Sequence, residues 1–321
     1  MIWSLVGLVL VVLFLVLTVG PLESLGWWSH QGADEVPRTV AALLAQQRDT
    51  VSSTHAHYVV YLSGIGAIGG DSVPPEELPL IEGVREALPN HCVISDVFPY
   101  SVENRGLTAQ RPTARVWHWV EKARLKDPEA AVGMLVNARN AIQLFVCADR
   151  RYGPTYNIGT AQQVLEALLR NGYALGSKTP VTLIGWSGGG QIALGAVWFL
   201  ASASIPVSVI SLGGMLSDDI GLDRIEHLTH LYGTKDPLQR LGAILFAGRW
   251  PGAVGSPWTR AMKAGRISMI QLGPMQHNVT AHYFDPDTIA PDGRSYLQVS
   301  TDAIAAVVNG EPVAVVPVEP S

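Results

Sequence analysis

The sequence predicts an α/β fold: a mostly parallel central sheet with helices on both faces, preceded by one N-terminal transmembrane helix. Three observations predict it. From about residue 54 onward, short runs rich in Val, Ile and Leu alternate with segments of helical periodicity, the pattern of buried parallel strands joined by crossover helices. Several of these runs end in Gly-rich turns, where a parallel sheet presents its ligand-binding edge. Residues 2–22 carry no charged side chain, and about 20 such residues span a bilayer as a helix.

Pro21 marks the end of the N-terminal run, and Trp27 and Trp28 follow at the level of an interfacial aromatic belt. A cleaved signal peptide is the competing reading. Against it, no Lys or Arg precedes the apolar run and no Ala-x-Ala site follows. Glu23, Asp34 and Glu35 come before Arg38, which favours the N-terminus inside and the following domain outside. The expected organisation is an anchor over 1–22, a juxtamembrane segment over 23–53, an α/β domain over 54–308 with an insert at 98–156, and an extended or disordered tail over 309–321.

The 321-residue chain is long enough for one large α/β domain with a filled core, or for two small domains. Net charge is −5 with no long basic run, which excludes nucleic acid as the expected partner. The two cysteines, Cys92 and Cys147, allow one disulfide or two free thiols, and neither has the spacing of a metal ligand.

Tyr58-Val59-Val60-Tyr61-Leu62 reads as the first strand and runs into Ser63-Gly64-Ile65-Gly66. A helix is expected over 76–88 and a strand over 92–95. The insert holds helical pieces near 114–125 and 128–146. An amphipathic helix is expected over 160–172, with Val164, Leu165 and Leu168 on one face. Val181-Thr182-Leu183-Ile184 is a strand leading into Gly185-Trp186-Ser187-Gly188-Gly189, and an almost wholly apolar helix follows over 192–203. Strands at 207–212, 227–232 and 267–272 and a helix over 295–308 complete the domain.

Ser187 is the candidate nucleophile. A serine hydroxyl is weak and must stand clear of its neighbours, beside a base and facing amide donors. A sharp strand-to-helix turn does this, and it requires small residues two positions either side, which Gly185 and Gly189 supply. The Gly188 amide is the expected first oxyanion donor. The second is expected from the loop after an earlier strand, at Ile65. The candidate acid is Asp236, in Gly233-Thr234-Lys235-Asp236-Pro237 just past a strand end; Asp218 and Asp219 are alternatives. The candidate base is His277, in the loop after the strand at 267–272, with His282 as its rival. His55, His57 and His230 read as structural.

Through Gly185–Gly189, the Gly64-Ile65 loop, Gly233–Pro237 and Gly273–His277, the chain resembles the α/β-hydrolase superfamily of esterases and lipases over about residues 59–308. The resemblance implies a sheet of the eight-stranded type, an acyl-serine intermediate and no cofactor. The membrane anchor and the apolar insert point to a small-molecule or lipid-derived ester as substrate. Members often carry a cap after the strand that follows the nucleophile helix. Here the interval from Leu212 to His227 is short, so that cap is small or absent. The extra length lies between Phe98 and Tyr156. Part of it is expected to roof the site; packing on the side of the sheet is the alternative. The Trp-rich stretch from Arg249 to Arg260 is a further candidate for the pocket mouth.

Two other functions compete. Gly64-Ile65-Gly66-Ala67-Ile68-Gly69 matches a GxGxxG dinucleotide fingerprint, which with the acid at Asp96 would suit a nicotinamide-dependent oxidoreductase. Against it, Asp71-Ser72-Val73-Pro74-Pro75 delays the helix that should open within the fingerprint. The third reading is a hydrolase fold kept as a catalytically inactive binding protein.

Overall fold

The computed structural model describes residues 52–67, 73–100, 133–150, 152–278 and 280–314, together with the isolated positions Ala45, Trp119 and Lys122. The expected anchor at 1–22, almost all of the juxtamembrane segment, the helical piece near 114–125 apart from Trp119 and Lys122, and the end of the tail lie outside the described residues. Among the described residues no helix is long and apolar enough to cross a membrane.

The elements in chain order are β1 (Tyr58–Leu62), α1 (Leu78–Ala87), β2 (Cys92–Ile94), α2 (Gly133–Ala148), α3 (Gly153–Arg170), β3 (Val181–Trp186), α4 (Gly188–Ser202), β4 (Val207–Leu212), β5 (Leu228–Gly233), α5 (Leu238–Leu245), α6 (Pro257–Lys263), β6 (Ile267–Gly273) and α7 (Tyr296–Asn309). The strands form one six-stranded sheet in the order β2-β1-β3-β4-β5-β6. Every pairing is parallel. The expected α/β class with a parallel sheet is observed. The eight-stranded sheet implied by the family resemblance is not: six strands pair among the described residues.

The sheet is apolar on both faces because helices cover both. Side chains alternate along each strand, so Tyr58, Val60 and Leu62 enter one core with α3, α4 and α6, while Val59 and Tyr61 enter a second core with α1 and α7. Helix α4 is buried along most of its length, which explains its lack of a polar face. A third, smaller core joins Ala67, Phe98, Tyr100, Val136, Cys147, Tyr156 and Ile192. It packs α2, from the insert, against the loop after β1 and helix α4.

Two helix starts differ from the sequence reading. Helix α3 begins at Gly153 rather than 160, with Pro154 in its first turn, where proline's fixed φ and missing N–H are tolerated. Helix α4 begins at Gly188 rather than 192, since burial overrides the low helix propensity of its glycines. Helix α7 matches closely. Ser295 accepts from the Gln298 amide while the Gln298 side chain accepts from the Ser295 amide, and Gly310 closes the other end in the left-handed region at φ 71°. Cys92 and Cys147 are both free thiols, so the disulfide alternative does not hold.

Candidate active site

The strand order reverses direction between β1 and β3, the place where open α/β sheets bind ligands outside the carboxyl ends of their strands. The register pairs Leu62 with Gly185. The loop after β1 and the turn after β3 therefore emerge side by side.

Ser187 sits on that turn at φ 50° and ψ −117°, a strained conformation for a residue with a side chain. Its amide donates to Leu212 O at 3.0 Å, which ties the turn to β4. The turn is closed by backbone packing. A Cβ on Gly189 would lie 2.3 Å from Leu62 O, and one on Gly185 would lie 2.4 Å from the Gly190 backbone. Glycine is required at both positions for steric reasons. The Gly188 amide opens helix α4, where no intrahelical acceptor exists, so it is available to an anion.

The Ser187 Oγ and His277 Nε2 lie 2.9 Å apart, and His277 Nδ1 lies 2.8 Å from Asp236 Oδ2. Asp236 follows β5 and His277 follows β6, so three strand ends contribute one hydrogen-bonded chain. Asp236 has no exposed surface. Burial works to raise its pKa, but the hydrogen bond and charge of His277, the Tyr283 hydroxyl and the Leu238 amide together hold it below the ordinary value. An ionised Asp236 can only accept, so His277 Nδ1 carries the proton and Nε2 accepts from the Ser187 hydroxyl. Tyr283 donates its hydroxyl to Asp236 Oδ2 at 2.8 Å and accepts from the Gly233 amide at 2.7 Å. The Trp186 indole stacks on the His277 ring, with centroids 4.5 Å apart and planes 17° from parallel. That flat contact restricts the imidazole to one plane.

The alternatives lie elsewhere. His282 Nδ1 accepts from the Phe284 amide. Asp219 accepts from Gly221 N and from the Gln191 side chain, and Asp218 pairs with Arg150. Both aspartates line a small cavity of about 60 Å³ with Cys147 and Asn157, behind helix α4. His230 is buried and contacts Ser211; burial, with Arg249 nearby, lowers its pKa to about 4. His57 contacts Thr182. Asp96 pairs with Arg170, and the helix after the Gly64 turn begins only at Leu78. Among the described residues no helix N-terminus therefore covers Gly64 and Gly66, as a pyrophosphate would require; Gly69 lies outside the described residues.

Ile65 meets the turn directly: a Cβ on Gly188 would lie 2.7 Å from Ile65 Cγ2 and 2.8 Å from the Tyr100 hydroxyl. The Ile65 loop is held by residues that the sequence reading missed. Glu77 Oε1 accepts from Gly64 N at 3.1 Å, and Glu77 Oε2 accepts from the Tyr61 hydroxyl at 2.9 Å. Burial raises the Glu77 carboxyl to about 7 against the lowering effect of these bonds. Tyr100 donates to Ser63 O at 3.1 Å. Asn140, from α2, donates to Ile65 O and Ala67 O at 2.7 and 2.8 Å. Neither Glu77 nor Asn140 stands in a motif, so no local sequence signal marks them.

No protein-family model matches the sequence, and no curated protein matches it significantly. Solved structures do. One is a dienelactone hydrolase-like promiscuous phosphotriesterase from metagenomic libraries, at 13% identity over 82% of this chain and 89% of that one, with a TM-score of 0.44. Another is a carboxyl esterase from the fungus Tuber melanosporum, at 8% identity over 81% and 79% of the two chains, TM-score 0.44. A third is an esterase from Pyrobaculum calidifontis, at 10% identity over 82% and 79%, TM-score 0.43.

Proposed function

We propose that this chain is a membrane-anchored serine hydrolase that cleaves a carboxylic ester of an apolar or lipid-derived acyl group through an acyl-serine intermediate. The observation that carries this reading is the hydrogen-bonded chain Ser187–His277–Asp236, with its serine on a positive-φ turn at the head of a helix.

In the first half-reaction Ser187 Oγ attacks the ester carbonyl carbon while His277 Nε2 takes the hydroxyl proton. Asp236 keeps the imidazole in the tautomer that accepts at Nε2 and stabilises the imidazolium. The carbonyl oxygen gains charge and receives hydrogen bonds from the Gly188 and Ile65 amides. When the tetrahedral intermediate collapses, the C–O bond to the alcohol breaks and His277 protonates the leaving oxygen. In the second half-reaction a water attacks the acyl-serine, with His277 again taking the proton and returning it to Ser187.

The anchor is the uncharged run over 2–22. The α-amine at the start of the run, with Glu23, Asp34 and Glu35 ahead of Arg38 on its other side, supports a domain on the non-cytoplasmic side. Alkaline carbonate extraction of cell membranes tests the anchoring: the full chain should stay with the membrane and a chain lacking 1–22 should not.

The decisive test of the chemistry is labelling with a fluorophosphonate probe, followed by an ester panel of increasing acyl length. Labelling should occur and vanish in Ser187→Ala. A folded chain that does not label is a binding protein on a hydrolase fold, and labelling that survives Ser187→Ala puts the nucleophile elsewhere.

A further inference from the structure

Hydrogen bonds account for most of the polar backbone of the Ser63–Ala67 loop. Tyr100 donates to Ser63 O, Gly64 N donates to Glu77, and Ala67 N donates to Gly64 O at 3.1 Å. Asn140 supplies one donor group to both Ile65 O and Ala67 O. The Ile65 amide has no acceptor among the described residues. The peptide bonds are all trans, and in a trans peptide the C=O and N–H point in opposite directions. Because Ala67 N holds the Gly64 carbonyl, the Ile65 N–H of the same peptide faces away from that turn.

The orientation of Asn140 is itself fixed. Arg139, fully buried, donates from Nη1 to Asn140 Oδ1 at 2.9 Å and to Tyr100 O at 2.6 Å. The carbonyl end of the Asn140 amide therefore faces the guanidinium and its NH2 end faces the loop. Asn140 and Val136 belong to α2, whose apolar side packs with Ala67, Tyr100 and Ile192 in the third core.

We propose that Asn140 is a positioning residue for the oxyanion site: helix α2 of the insert, through the Asn140 NH2, holds the turn that directs the Ile65 amide. This rests on the serine-hydrolase reading above. It gives the described part of the insert a role in the rate of acyl transfer, where the sequence suggested a roof over the substrate. A small displacement of one oxyanion donor is sufficient, since removing such a donor costs about 10²–10³ in kcat.

The test uses the full chain, with Asn140→Asp, which keeps the shape but removes both donors, and Asn140→Ala, which adds no charge where the aspartate disturbs folding. Met134→Ala, an exposed position on the same helix, is the control. Turnover of a short p-nitrophenyl ester, inhibition by a trifluoromethyl ketone of matched acyl chain, fluorophosphonate labelling and thermal unfolding are measured together. The expected result is a fall in kcat of about 10-fold or more with KM changed little. The ketone Ki should rise by the same factor as kcat/KM falls, since the ketone adduct carries the oxyanion and the ground state does not. Met134→Ala should match the wild type. A folded Asn140 variant with wild-type kcat and Ki overturns the proposal. So does a loss that appears in KM with the ketone Ki tracking KM. A wild-type chain that never labels removes the hydrolase reading and this inference with it, whereas labelling with unchanged Asn140 kinetics removes this inference alone.

Discussion

The turn at Ser187 and the loop at Ile65 meet at the same point of the sheet, yet they are held by different means. The turn is fixed by backbone packing: Gly185 lies against the Gly190 backbone, Gly189 lies against the Leu62 carbonyl at the end of β1, and one amide hydrogen bond reaches β4. The loop is fixed by side chains that arrive from other elements: Glu77 at the head of α1, Tyr100 beyond β2, and Asn140 on α2. A candidate nucleophile must be placed to within tenths of an ångström, and backbone packing against the neighbouring strands does this. A donor facing it has to be positioned by the tertiary structure.

That contrast can be broken most sharply at the turn. Ser187→Ala and His277→Ala should each lower ester turnover about 10⁴-fold or more, with melting temperatures near that of the wild type, as read by steady-state kinetics and differential scanning calorimetry. Asp236→Asn should cost about 10³–10⁴-fold, because an amide no longer enforces the tautomer that accepts from Ser187. Gly189→Ala acts through steric packing: the new methyl meets the Leu62 and Ser63 carbonyls and should destabilise the fold by about 3 kcal/mol, measured by urea unfolding. Full stability in that variant would mean the turn is looser than its packing indicates.

The loop gives a smaller effect with a distinctive pH dependence. Glu77 carries a folded-state pKa of about 7 against an ordinary value of 4.5. A raised carboxyl contributes stability that is present below the unfolded pKa and is lost as pH rises through the folded one. The wild type should therefore lose stability relative to Glu77→Gln between about pH 4.5 and 7, by up to about 3 kcal/mol. Parallel pH profiles of unfolding for the two chains would contradict this. The smallest effect is expected at His282, whose ring accepts from the Phe284 amide and meets the Phe284 ring edge-on. His282→Ala should leave kcat/KM within about twofold and cost about 1 kcal/mol.

Much of the architecture was legible because burial writes itself into short periodicities. The strands at 58–62, 207–212 and 267–272 are apolar runs bounded by turn residues, and the structure gives them nearly the same limits. The helix starts at Gly153 and Gly188 were less legible, since proline and glycine read locally as breaks while a packed first turn tolerates both. Trp186 and Tyr283 stand close in sequence to Ser187 and His277, but nothing in their spacing signals that one stacks on the histidine and the other bonds to its acid.

By itself the sequence determined the parallel α/β class, the glycine-bounded turn that carries Ser187, and the chain order of serine, acid and histidine. These depend on residues adjacent along the chain or on strand ends that a parallel sheet always brings to one edge. The tertiary structure alone decided which acid and which histidine meet Ser187, and that Glu77, Tyr100 and Asn140 converge on the Ile65 loop. Such pairings join residues far apart in sequence. They are set by strand order, register and the packing of α2, and no local pattern encodes them.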